Sequence, residues 1–147
     1  NVPTSNQTFD IGAQKSSANY DGLALQLKNG ASKNQILGRT GLYPQGEVYE
    51  NTVSDSRGVV SVVSQGLSLR KIFRNGTLKS TATTTTTEVM PNFNLFIGSL
   101  NNGGGDYSYS NQRIQFVAIH EGLSDAEVAT LHTIIDTFET AIGRKTW

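Results

Sequence analysis

Between Phe9 and Ile119 the apolar residues recur mainly at every second position; beyond Val128 they recur at every third and fourth. The first period is that of strands with two unlike faces, and the second is that of a helix with one apolar stripe. Phe9, Ile11 and Ala13 alternate with Asp10 and Gly12, which predicts a first short strand. Leu23, Leu25 and Leu27 alternate with Ala24 and Gln26 as a second. Asn29-Gly30 is a strong hairpin signal that leads to a strand around 34–39. Residues 40–57, with Pro44 and mixed charges, read as a long loop with Val48 and Tyr49 in a short edge strand. Val59, Val60, Val62 and Val63 form a run too continuous for a one-sided strand, which predicts burial on both faces. The strand 67–74 follows, and Asn75-Gly76 turns it into a strand at 77–79. The Thr tract 83–87 suits either a solvated edge strand or a flexible loop. Phe93, Leu95 and Ile97 predict another strand, ending at Gly98. The stretch 101–106, NNGGGD, reads as a flexible loop because consecutive glycines carry no strand preference. Ile114, Phe116 and Ala118 then point one way from a last strand, with Gln115, Val117 and Ile119 opposite.

The closing helix, at about 124–142, is the most fully specified element. Ser124 is its N-cap and Glu127 completes a capping box, with Leu123 and Val128 at the spacing of a hydrophobic staple. Val128, Leu131, Ile135, Phe138 and Ile142 form the apolar stripe, which Ala126, Ile134 and Ala141 widen. Glu127, Asp136, Glu139 and Arg144 are expected off that stripe. Gly143 stops the helix, and Arg144 and Lys145 complement its negative end.

Seven to nine short strands and one helix in 147 residues predict a single all-β domain over 9–147, preceded by a polar linker or incoming arm at 1–8. Twelve basic and twelve acidic residues cancel, so no basic field attracts nucleic acid. No apolar run is long enough for insertion into a membrane. Cysteine is absent, which removes disulfides, thiolate nucleophiles and Cys-type zinc sites. The chain starts at Asn1, and is expected to be a fragment or processed C-terminal domain of something longer.

The segments NFNLFIGSLNNGG and YSNQRIQFVAIHEGLSDAEVATLHTIIDTFETAIGR resemble the C-terminal part of concanavalin A-like (laminin-G-like) lectin and glucanase domains. The strand 95–98 with its Asn/Gly loop, the strand 113–119 and the Leu-Ser-Asp-Ala-Glu helix start at 123–127 carry the likeness. The hairpin 69–78 resembles the strand pair in the middle of such domains, and the ending Ile142-Gly143-Arg144 is similar to versions in bacteriophage tail fibres and other virion proteins. The resemblance covers 58–144 best. It implies an all-β concanavalin A-like jelly-roll sandwich with one C-terminal α-helix, a virion-surface or extracellular location, and a host surface glycan or receptor as partner. Fibres of this kind are commonly homotrimers, so it also implies a homo-oligomer.

Retaining glycosidases of that fold need two carboxylates close together on one strand. Glu47 and Glu50 lack the alternating spacing and are expected in a loop, so the reading is of a non-catalytic module. His120 ends a strand and His132 lies beside the helix stripe; neither forms a triad, and no G-x-S-x-G elbow occurs. The best binding candidate is the set Asn101, Asn102, Asp106, Tyr107, Tyr109 and Asn111. A pyranose presents a C–H face to an aromatic ring and hydroxyls to amides and carboxylates, and this set supplies both. The competing reading of the same loop is a hairpin whose tyrosines cover the edge of the sandwich. Asp106 with neighbouring carbonyls is also a candidate for Ca²⁺, as in some laminin-G-like domains. Tyr20, Tyr43 and Tyr49 form a second aromatic set, and Trp147 suits a subunit contact or a frayed end. Alternatives to a carbohydrate- or receptor-binding module are a virion structural domain that mediates assembly only, and a glycan-degrading enzyme.

Overall fold

The computed structural model describes residues 9–15, 21–27, 34–85 and 92–147. Among these, ten strands form two sheets, and one helix closes the chain. The larger sheet holds β1 (Ile11–Gln14), β2 (Gly22–Gln26), β3 (Ile36–Gly41) and β4 (Glu47–Glu50) as an antiparallel run. The smaller sheet is the meander β5 (Val60–Gln65), β6 (Leu69–Arg74) and β7 (Thr77–Ala82). β8 (Phe96–Ile97), β9 (Leu100–Asn102) and β10 (Gly105–Tyr107) extend the larger sheet at β1, giving the order β10-β9-β1-β2-β3-β4 with β8 also on β1. The β1–β9 pairing is parallel; the rest are antiparallel. The helix α1 spans Asp125–Ala141.

The core between the sheets follows from strand alternation. Ile36 and Val48 project from β3 and β4 onto Ile72 of β6, with Val53, Leu25, Val60 and Val62 around them. Gly38 is required here, because a Cβ would meet the Val62 methyls at 2.6 Å. The helix docks on the other face of the smaller sheet, where Val128 packs with Val63 and Phe73, and Leu123 joins them as the staple predicts. Both arms of the Ser124–Glu127 capping box form, and Gly143, at φ +69, ends the helix. Asn75 and Gly76 both take positive φ, as a tight hairpin turn between β6 and β7 demands.

Several expectations are corrected. Of the 40–57 stretch, 40–41 end β3, 42–46 form a turn and 51–57 lie outside any strand, while Val48 and Tyr49 sit in β4, the short edge strand expected there. β5 is an edge strand whose valines pack on both faces, Val60 and Val62 half-buried toward the inter-sheet core and Val63 fully buried toward the helix. The 101–106 loop is instead the β9–β10 hairpin, because Gly103 and Gly104 adopt the positive φ that its turn needs. The strand expected at 93–97 shortens to Phe96–Ile97. Residues 113–120 form no ladder with any described strand. Alternation sets side-chain direction, whereas a strand also needs an open edge at hydrogen-bonding distance. In α1, Glu139 is buried while Phe138 and Ile142 are half exposed, the reverse of the stripe expected. Arg144 makes that burial tolerable, since its Nε and Nη2 donate to the Glu139 carboxylate at 3.0 and 2.6 Å. Of the Thr tract, 83–85 is exposed and outside any strand, and 86–87 lies outside the described residues, as do the Asn29-Gly30 turn, Tyr20 and the arm 1–8.

Candidate functional site

β1, β3 and β9 run the same way, so the β3–β4 turn, the β9–β10 turn and the start of β2 meet at one end of the larger sheet. Gln14, Asn102, Gly22 and Gly41 lie in one cross-strand row there. The Gly103 amide donates to the Gln14 carbonyl at 3.0 Å, tying the hairpin tip to the end of β1. On the face turned away from the smaller sheet, register places Gln14, Arg39, Glu47, Tyr49 and Asn102 together.

These side chains form a continuous hydrogen-bonded track across four strands. Gln14 Nε2 donates to Asn102 Oδ1 at 3.2 Å, and Arg39 Nη1 donates to Gln14 Oε1 at 3.4 Å. Arg39 Nε donates to Glu47 Oε1 at 2.9 Å, with Nη2 donating to the same oxygen, and the Tyr49 hydroxyl donates to Glu47 Oε2. Burial, then the bond to Glu47, holds the Tyr49 phenol above its ordinary range. Arg39 and Glu47 are only 5% and 8% exposed. Such a pair is stable when each partner's remaining groups are satisfied, as they are in this track. At its surface end the Arg39 guanidinium sits 5.2 Å from the centroid of the Tyr43 ring, which is 48% exposed. An aromatic ring is thus held over a fixed cation, with an amide, Asn102, at the other end of the track.

The six residues expected to bind do not converge. Asn102 enters the track. Asn101 faces the other way and is buried, its amide donating to the Asn94 carbonyl and its Oδ1 accepting from the Gly104 amide, so it shapes the turn. Asp106 is exposed on the edge strand β10, also on Asn101's side of the sheet. Tyr107 packs against Phe9, Ala24 and Leu100. Tyr109 bridges to Phe9 at the opposite end of β1, where it is 58% exposed, and Asn111 follows it, accepting from Gln112. That end is pinned by Asp10, whose Oδ2 accepts the Leu27 amide at 2.6 Å and whose Oδ1 accepts the Ser110 hydroxyl. Burial raises the Asp10 pKa.

Gln14, Arg39 and Glu47 were not legible as site residues. The available signal was the pair of opposite charges flanking the Pro44 turn, eight residues apart, which a hairpin brings face to face. Glu47 and Glu50 lie on a strand, not in a loop, and on its opposite faces: Glu47 meets Arg39, and Glu50 meets Arg74 Nη2 at 3.0 Å. His120 is exposed, with Nδ1 at 2.6 Å from the Glu121 carbonyl, and His132 is half-buried beside Gly76. Among the described residues no three His, Asp or Glu gather as metal ligands, and Asp106 stands as a lone carboxylate. No helix among them is long and apolar enough to cross a membrane.

Comparison of the chain with protein-family models, curated proteins and solved structures finds no match.

Proposed function

We propose that this chain is a non-catalytic carbohydrate-binding or receptor-binding module of the concanavalin A-like jelly-roll type. Its setting would be a bacteriophage tail fibre or similar virion-surface appendage, as a homo-oligomer facing a host glycan. The observation that carries the reading is the track from Asn102 to Glu47 with Tyr43 held on Arg39 at its end. A fixed ring offers its face to the C–H side of a sugar, and an amide beside a glycine turn meets hydroxyls. Two β-sheets closed by one C-terminal helix are the coarse architecture that this reading requires.

The test is a glycan panel and host-cell binding with the intact chain, with and without a calcium chelator. Tyr43→Ala and Asn102→Ala are expected to weaken binding at least tenfold, while Tyr109→Ala, at the far end of the sheet, leaves it unchanged. Chelator sensitivity would add a metal to the site. A folded protein that binds no glycan and no host surface would sink the reading.

A second reading, a virion domain that serves assembly only, is favoured by one feature. Ile134, Phe138 and Ile142 form an apolar line along α1 and are 61%, 55% and 46% exposed.

A further inference from the structure

The smaller sheet has two edges, and they are built differently. On β7 the register skips Lys79, so that edge carries both a bulge and a lysine, two devices that discourage further pairing. β5 carries no bulge, charge or proline between Val60 and Gln65, and its outer edge pairs with no strand among the described residues. The Asn75 amide donates to the Val59 carbonyl at 2.9 Å, so Val59, Ser61 and Val63 turn their backbone groups toward β6. Val60 and Val62 turn theirs to the open side.

Residues 113–120 of the same chain stand there, lining one cleft together with the start of β5. The far end of this segment is already fastened to the edge. Gln65 Nε2 donates to the Leu123 carbonyl at 3.0 Å, and a Cβ on Gly122 would lie 2.7 Å from the Ser64 carbonyl oxygen. Its near end is held at Ser110, whose amide donates to the Gly98 carbonyl at 2.7 Å and whose hydroxyl donates to Asp10. Between these ends, alternation puts Phe116 and Ile119 on opposite faces, and they are 51% and 69% exposed. The space beside β5 has an apolar wall on each side: Ile11 and Leu23 of the larger sheet, and Leu131 and Ile135 of α1. Apolar residues on both faces are what a strand covered on both sides requires.

We propose that 113–120 is a strap that closes onto the β5 edge as a fourth, parallel strand of the smaller sheet. Gly122 beside Ser64 sets its register, which brings Ala118 opposite Val60 and His120 opposite Val62. Closure gives the outward amides and carbonyls of Val60 and Val62 their partners and covers Phe116 and Ile119. Opening bares an unprotected strand edge to other chains. The strap is separate from the Tyr43–Asn102 end of the larger sheet, so it stands whether or not that end binds glycans.

The experiment follows amide hydrogen exchange by NMR on the whole chain, at a concentration where sedimentation shows a monomer. The Val60 and Val62 amides are expected to exchange at least about a hundredfold more slowly than an unstructured chain, as do Ser61 and Val63, which face β6. Gly122→Val, whose side chain meets the Ser64 carbonyl, should speed Val60 and Val62 roughly tenfold or more and leave Ser61 and Val63 unchanged. The chain has no cysteine, so Val60→Cys with Ala118→Cys introduces a single pair. In the closed register that pair forms an intramolecular disulfide under oxidation, because Cα atoms directly opposite on neighbouring strands lie within disulfide reach. Unprotected Val60 and Val62 amides in the folded monomer would overturn the proposal. So would a Gly122→Val variant with wild-type protection, or a cysteine pair that stays reduced or links two chains.

Discussion

Glu47 shows how one residue changes meaning with its surroundings. In the sequence it is a carboxylate three positions from another, beside a proline. In the fold it is the anchor of Arg39 and Tyr49, and nearly inaccessible to water. Removing one member of a buried pair strands the other's charge, which costs far more than the pair contributes net. Glu47→Gln should therefore destabilise the protein by about 3 kcal/mol in urea unfolding, whereas the double variant Arg39→Met with Glu47→Met should recover most of that loss. Equal losses in the two variants would show that the track does not depend on its charge. Glu139 carries the same lesson from the helix. A stripe argument counts Glu as polar, yet Arg144, five residues on, folds back to pair with it and lets the carboxylate go inside.

Among the elements, the β9–β10 hairpin turns a glycine-rich stretch into regular structure. Three successive glycines lack strand preference, but here the first two sit in the turn and the third opens β10. Gly104, at φ +100, has nothing within 4 Å of the place a Cβ would occupy, so an alanine there is opposed by backbone conformation alone. Gly105 is equally uncrowded but has no positive φ. Gly104→Ala is expected to cost about 1–2 kcal/mol, and Gly105→Ala a few tenths at most. Comparing their denaturation midpoints checks this, and equal midpoints would rule out turn strain as the reason for glycine. The capping box, the staple and the Asn75-Gly76 turn are readable in the sequence because each is a local device within a few residues. The absence of a ladder at 113–120 is not, because pairing depends on an edge supplied from elsewhere in the chain.

For the whole molecule, the apolar line Ile134, Phe138 and Ile142 turns outward because α1 uses Val128 and Ile135 for its own docking. Exposed apolar stretches of this kind are commonly covered in assemblies. The chain is expected to self-associate in sedimentation velocity, with Phe138→Asp shifting it toward the monomer and leaving the thermal melt within about 0.5 kcal/mol of wild type. A wild-type protein that stays monomeric across the concentrations tested would remove support for the assembly reading and for the oligomer implied by the tail-fibre resemblance.

By itself the sequence determined the class of fold and its local punctuation. Alternation every second residue meant sheets, a 3.6-residue stripe after a capping box meant one closing helix, and paired Asn-Gly meant a hairpin. These are decided by contacts between near neighbours, so they are written where they act. Only the tertiary structure decided which polar residues meet. Gln14, Arg39, Glu47 and Asn102 come from four strands spread over nearly ninety residues, and cross-strand register alone aligns them on one face. The same register sent Asn101 and Asp106 to the opposite face and left Tyr109 at the far end.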